Sequence, residues 1–214
     1  MRTILIKKIK SSIHLLFLSI IISCSSAVVT DLKAQKITFI PQKTDNGLIF
    51  GSITFPKEKA KFNAYFLQIS YKSTDPKITR KNFKEIRFNP AQIIKMKHKG
   101  ELDNGLTYLF AIERPAGDSE IIGIRLFSNS GFAILQKNDN LNGFTIPFKV
   151  NKGEILYVGN IVFNEYAEEN ETIVSYQNNF AKDLEGIKIE QPFVYWDAAK
   201  EDKSIGITYK KDIQ

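Results

Sequence analysis

"FTIPFKVNKGEILYVGNIVF", residues 144–163, decides the fold of this chain. In its first third Phe144, Ile146, Phe148 and Val150 alternate with Thr145, Pro147 and Lys149. In its last third Ile155, Tyr157, Ile161 and Phe163 share one parity. A period of two places alternate side chains on opposite faces of a strand, so each run predicts a strand with one buried face. "NKG" separates them, and the unit reads as an antiparallel hairpin with Gly153 turning the corner. Pro147 cannot donate a ladder hydrogen bond, which assigns the first strand to a sheet edge or a bulge.

The same rhythm extends in both directions from this unit. Tyr65, Leu67, Ile69 and Tyr71 alternate, as do Leu106, Tyr108, Phe110 and Ile112. "EIIGIRLF" and "EILYVGNIVF" are apolar on both parities, which predicts central strands covered on two sides. Asn- and Gly-rich turn signals at 44–47, 102–105, 129–131, 138–143 and 151–153 punctuate the runs. About nine or ten strands spaced this way predict an all-β fold, an antiparallel Ig-like or prealbumin-like β-sandwich. "SIGITY" near the end adds a last edge strand.

One segment has a different period. In "SYQNNFAKDLEGIKIEQPF", Tyr176, Phe180, Leu184 and Ile187 fall at helical spacing. This predicts one short amphipathic helix near the C-terminus, capped by Ser175 or Asn178, stopped by Gly186 and lying over one end of the sandwich. Beyond it Phe193, Tyr195 and Trp196 crowd together, with Trp196 on the opposite face of an extended chain from the other two. These three form the candidate binding surface, because aromatics supply much contact energy at low entropic cost. The alternative is that they pack in the core beneath the helix.

Chemistry-bearing residues are scarce. The chain has one cysteine and two histidines. His98 alternates with Ile94 and Met96 on the less polar face of a strand-like stretch, which reads as a structural position. Without a Cys/His set, a zinc centre or a Cys–His nucleophile pair is not expected. Glu165, Glu168, Glu169 and Glu171 cluster, but "NEYAEENE" reads as a hydrated loop after a strand rather than a pair of catalytic carboxylates. No catalytic residue, metal site or cofactor is expected. Lys95, Lys97 and Lys99 read as a solvated strand face that also discourages edge pairing.

The N-terminus carries the clearest motif. Arg2, Lys7, Lys8 and Lys10 precede an apolar run from Ile13 to Ile22, broken by His14 and Ser19. A basic head, a short apolar middle and a small-residue finish form an export signal. Ten helical residues reach roughly 15 Å, half the ~30 Å of a hydrocarbon core, which is too short to span. The run ends in "IISC", with Cys24 followed by Ser25, Ser26 and Ala27. This resembles the lipobox of bacterial lipoproteins: Ile21 stands where leucine is commonest, Ile22 where Ala or Ser is usual, and Ser23 takes the small position. The resemblance implies cleavage before Cys24, acylation of its thiol and a palmitate-type anchor. The alternative is an ordinary cut near Ala27 or Ala34 that discards Cys24. A lone exported thiol has no disulfide partner within its own chain, and acylation removes that liability.

The expected division is therefore 1–23 signal peptide, 24–35 lipidated tether and 36–214 β-sandwich domain. Of 30 basic residues the signal carries four, leaving 26 against 23 acidic ones and a net charge of +3. That balance is too mild for a nucleic-acid partner. "GLIFGSITF", "DNGLTYLFAIE" and the 144–163 unit together resemble small β-sandwich lipoproteins of the Bacteroidota type. That likeness implies a fold and an envelope location, with no catalytic residue to carry over. The expected partners are the membrane, through the N-terminal lipid, and an envelope protein or a glycan. No dense acidic cluster follows Cys24, which favours the outer membrane facing the periplasm. The expected role is a non-catalytic binding or structural module; a carboxylate-dependent glycan hydrolase and a subunit of a surface assembly or fibre are the alternatives.

Overall fold

The structure, a computed structural model, describes residues 29–30, 36–92, 95–129 and 136–210. The signal segment, Cys24 and Ile94 lie outside them. In chain order the strands are β1 (Val29–Thr30), β2 (Asn46–Thr54), β3 (Ala64–Tyr71), β4 (Lys84–Phe88), β5 (Thr107–Pro115) and β6 (Gly117–Asn129). They continue with β7 (Gln136–Leu141), β8 (Phe144–Val150), β9 (Ile155–Phe163), β10 (Val174–Gln177), β11 (Ala199–Glu201) and β12 (Thr208–Tyr209). Helix α1 (Pro76–Lys81) lies between β3 and β4, and α2 (Phe180–Glu190) follows β10.

These strands form an all-β sandwich. One sheet runs β1-β4-β3-β6-β8-β12, with β7 also on β6, and the other runs β10-β9-β2-β5, with β11 also on β9. Most pairings are antiparallel; β2 with β9, β11 with β9 and β1 with β4 are parallel. The main core lies between the sheets, where Ile49, Ile53, Tyr108, Phe110, Leu156 and Val158 of one meet Tyr65, Leu67, Ile124, Phe144 and Phe148 of the other.

The 144–163 unit is not a hairpin. β8 pairs with β6 and β12, whereas β9 pairs with β2 and β10, so the chain crosses from one sheet to the other between them. Gly153 occupies that corner, and its N–H bonds Asn46 O at 2.8 Å while Leu48 N bonds Glu154 O at 2.8 Å. A turn within a sheet and an arch between sheets use the same turn residues, and both leave one face of each strand inward. The expected edge position of β8 does hold over most of its length, since β12 covers only Phe144 and Thr145. Lys210 N donates to Gly143 O, so the odd positions of β8 direct their peptide groups to that side. Pro147 falls on it and offers no N–H to an incoming strand.

Gly159 breaks the parity of β9. Phe50 faces Tyr157 across the parallel pairing but Ser52 faces Asn160, so a residue is inserted there. Ile155 and Tyr157 consequently point to the outer face, while Ile161 and Phe163 point to the inter-sheet core. Gly159 has φ 104°, and a Cβ there would sit 2.0 Å from Cε2 of Tyr176. A similar slip opposite Gln68 and Ile69 lets both Ile121 and Ile124 of β6 point inward. The double-parity run in β6 therefore comes from a bulge, not from cover on both faces.

Cover on both faces is real for β2 and β9. Leu48, Phe50, Ile155 and Tyr157 face away from the main core and meet Phe39, Ile187, Val194 and Trp196. Helix α2 lies on this outer face, against β5 and β2, rather than over an end of the sandwich. It begins after Asn179, with Phe180 N bonding Asn178 Oδ1 at 3.1 Å. Gly186 does not stop it. A Cβ at 186 would lie 2.7 Å from Cδ1 of Leu109, so glycine is what allows the helix to approach β5. Helix α1 is signalled by Asp75-Pro76: the Asp75 carboxylate accepts from Lys77 N at 2.8 Å and proline takes the first turn. No helix among the described residues is long and apolar enough to cross a membrane.

Candidate functional site

The structure separates the three aromatics of "QPFVYW". Trp196 is buried, at 4% exposure, edge-on to Phe50 with ring centroids 5.1 Å apart, and its Nε1–H bonds Gln191 O at 2.8 Å. It belongs to the packing beneath α2 and not to a surface. The chain around it is a short 3-10 turn, Trp196–Ala198, which rotates the indole onto the sheet. Phe193 and Tyr195 are each 65% exposed. Because α2 runs on past Gly186, Ile189 joins them at 78% exposure on the open side of its last turn. A reading that ended the helix at Gly186 missed Ile189.

The incoming chain is fastened at the same place. Lys36 Nζ bonds Glu190 O and Ile37 N bonds Gln191 Oε1, each at 2.8 Å. Ile189, Phe193 and Tyr195 thus lie exposed within seven residues of one another, beside the point where the chain running from β1 to β2 is fastened. Phe193→Ala and Tyr195→Ala are each expected to change stability by less than ~0.5 kcal/mol, because substitutions at exposed positions remove little packing; urea denaturation monitored on Trp196 checks this.

A second cluster plugs one end of the core. Glu165 is buried, contrary to the hydrated loop its acidic neighbours suggested. Its Oε1 lies 2.9 Å from His98 Nε2, and its Oε2 accepts from Tyr65 OH and from Lys61 N at 2.9 Å. The two side chains are 0% and 1% exposed. His98 stacks on Phe55 at 3.8 Å, with Tyr108 OH 3.4 Å from its Nδ1. His98 lies in a loop and not on a strand; Lys97 makes isolated bridges with Lys59 and Ala91. Burial raises the Tyr65 phenol well above its usual value, reinforced by the Glu165 charge, and burial pushes Tyr108 up to about 12. The cluster joins the loops at Lys61, His98 and Glu165 to one another and to the start of β3 at Tyr65, so it works as a fastener.

A third cluster pins α2 to its sheet. Asp183 accepts from Ser52 Oγ at 2.6 Å and Tyr157 OH at 2.8 Å. Asn160 Nδ2 in turn bonds Ser52 Oγ at 2.6 Å and Thr54 Oγ1 at 2.8 Å. Burial raises the Asp183 carboxyl, and the two hydroxyl donors pull it back. The bulge at Gly159 makes this possible, since it turns Tyr157 and Asn160 to the same side.

Arg114 is the exception to this pattern of pairing. It follows Tyr108, Phe110 and Ile112 on the inward parity of β5 and is 0% exposed. Its Nε and both terminal nitrogens have no hydrogen-bond partner, and nor has the buried Ser119 Oγ on β6. Burial lowers the Arg114 guanidinium from its ordinary value to about 10. At the opposite edge an open crevice of about 270 Å³ lies between β10 and β12, lined by Leu141, Phe144, Ile173 and Tyr209. Among the described residues no three His, Cys, Asp or Glu side chains gather to hold a metal ion.

Comparison with protein-family models gives no match, and comparison with curated proteins gives none. A leucine-rich repeat protein from Bacteroides thetaiotaomicron, solved by crystallography, is similar in part at 12% identity and a TM-score of 0.31. The likeness covers 57% of this chain and 14% of that one, so the chain spans about a seventh of that protein's length.

Proposed function

We propose that this protein is a lipid-anchored module of the bacterial cell envelope, held through Cys24 at the outer membrane on its periplasmic side, with a non-catalytic binding or structural role. The observation that carries the reading is the export signal ending in the chain's one cysteine. Each buried methylene of an acyl chain contributes about 0.8 kcal/mol, so two or three long chains hold a protein at a bilayer where a single myristoyl chain does so marginally. The non-catalytic part is supported by the employment of the titratable side chains: Glu165 with His98, and Asp183 with Tyr157, join separate elements of the fold. Ile189, Phe193 and Tyr195, the most exposed of the large apolar side chains among the described residues, offer a surface for contact.

Growth with radiolabelled palmitate tests the anchor. Label is expected in the wild-type protein and absent from Cys24→Ser, which leaves the membrane fraction. Absence of label from the wild type, or unchanged fractionation of the variant, contradicts the proposal.

A further inference from the structure

We infer that the Ile189–Phe193–Tyr195 patch rests on the lipid surface of the membrane that carries the anchor, so that the domain is oriented against the bilayer. The inference deepens the reading above and rests on lipidation of Cys24. Three large apolar side chains exposed within seven consecutive residues stand out on a domain where, among the other described aromatics, Tyr209 alone is exposed. What covers them is set by the path of the chain.

Five Cα-to-Cα steps separate Cys24 from Val29, where β1 pairs with Glu85 and Ile86 of β4. At no more than about 3.5 Å each they reach roughly 17 Å, less than the width of a domain of this size. The β1–β4 edge is therefore held close to the membrane. Across the sandwich that edge faces β5, with Phe88 of β4 5.5 Å from Tyr108 and 6.3 Å from Phe110, ring centre to ring centre. The free edge of β5 in turn borders Lys36, Ile187, Glu190 and Gln191 at the C-terminal end of α2. β1, β4, β5 and the C-terminal end of α2 share one side of the molecule, and the patch begins at that end of α2. Of the four other exposed large apolar side chains, Ile40 and Ile78 stand singly, and Ile173 and Tyr209 sit together at the β10–β12 edge on the far side.

The side chains suit an interface. Tyrosine and phenylalanine settle at headgroup depth, where an apolar ring and a wet hydroxyl are both accommodated. A bilayer is also always available to a lipidated chain at very high effective concentration, so weak contacts suffice to orient it.

Since Cys24 is the only native cysteine and carries the lipid, a second cysteine can be labelled uniquely. The full lipidated protein bearing Phe193→Cys, and separately Thr208→Cys on β12, is purified from membranes and nitroxide-labelled. Each is then reconstituted in vesicles of phosphatidylethanolamine and phosphatidylglycerol. Paramagnetic relaxation compares collisions with oxygen, which concentrates in lipid, and with a water-soluble nickel chelate. Residue 193 is expected to show a several-fold rise in the oxygen-to-nickel ratio on reconstitution, with residue 208 unchanged. If the protein floats with the vesicles and residue 193 stays aqueous, the orientation is wrong, the anchor stands and the patch faces a protein or a glycan. If the protein does not float, the anchor itself fails and the inference falls with it.

Discussion

Replacing Glu165 with leucine is expected to cost this domain about 3–5 kcal/mol of folding stability, because removing one partner of a buried, hydrogen-bonded pair leaves the others stranded. The carboxylate receives Tyr65 OH and Lys61 N on one oxygen and faces His98 Nε2 on the other. Leucine fills a similar volume but accepts nothing. Each group left unpaired in the core carries a penalty of about 1–3 kcal/mol. Glu169 is the natural control: it belongs to the same acidic run but is exposed. Glu169→Leu is expected to stay within about 0.5 kcal/mol of wild type. Urea denaturation of both variants decides the matter, and equal midpoints would mean that Glu165 is not the fastener described.

Arg114→Met is expected to act in the opposite direction and stabilise the protein by about 3 kcal/mol. The guanidinium is enclosed with no partner on any of its three nitrogens. Taking an unpaired charge out of water costs several kcal/mol, and the same burial lowers Arg114 to about 10. The sign follows from proton linkage. Below pH 10 both states are charged and the penalty is complete. From about pH 10 up to the ordinary arginine range the unfolded chain binds more protons than the folded one, so stability rises with pH there. Methionine is unbranched and adaptable, so it can occupy much of the same space without charge. Arg114→Lys keeps the charge and is expected to gain nothing. Thermal denaturation at neutral pH distinguishes the variants; destabilisation by methionine would contradict the description of Arg114 as an uncompensated buried charge.

The residues that made the fold legible are those whose side-chain period survives in the structure. Phe144, Ile146, Phe148 and Val150 all point inward, as their spacing required, and the sandwich follows from several such runs. What the spacing could not reveal was pairing across distance. Nothing in "NKG" says whether the next strand returns beside β8 or crosses to the facing sheet. Gly159 hid a parity change inside an unbroken apolar run, so Tyr157 and Ile161 seemed to share a face. The lengths of elements were concealed in the same way: Gly186 reads as a helix stop, yet the contact with Leu109 makes glycine a packing residue.

The candidate sites follow the same division. Exposure of Phe193 and Tyr195 but not Trp196 depends on a 3-10 turn that no periodicity announces. Glu165 is indistinguishable by composition from Glu168, Glu169 and Glu171; its burial is decided by where β9 ends and by loops that arrive from Lys61 and His98, far away in sequence. Arg114 could have been suspected, since it continues the inward series of Tyr108, Phe110 and Ile112. A charged residue on a buried parity is the signal to look for.

Mass spectrometry of the N-terminal peptide from membrane-purified protein tests the central claim most directly. The account predicts a chain that begins at residue 24, with fatty acyl mass on its first residue. An unmodified chain that begins after Ala27 or Ala34 would contradict it, and with it both the tethering and the orientation proposed for the domain.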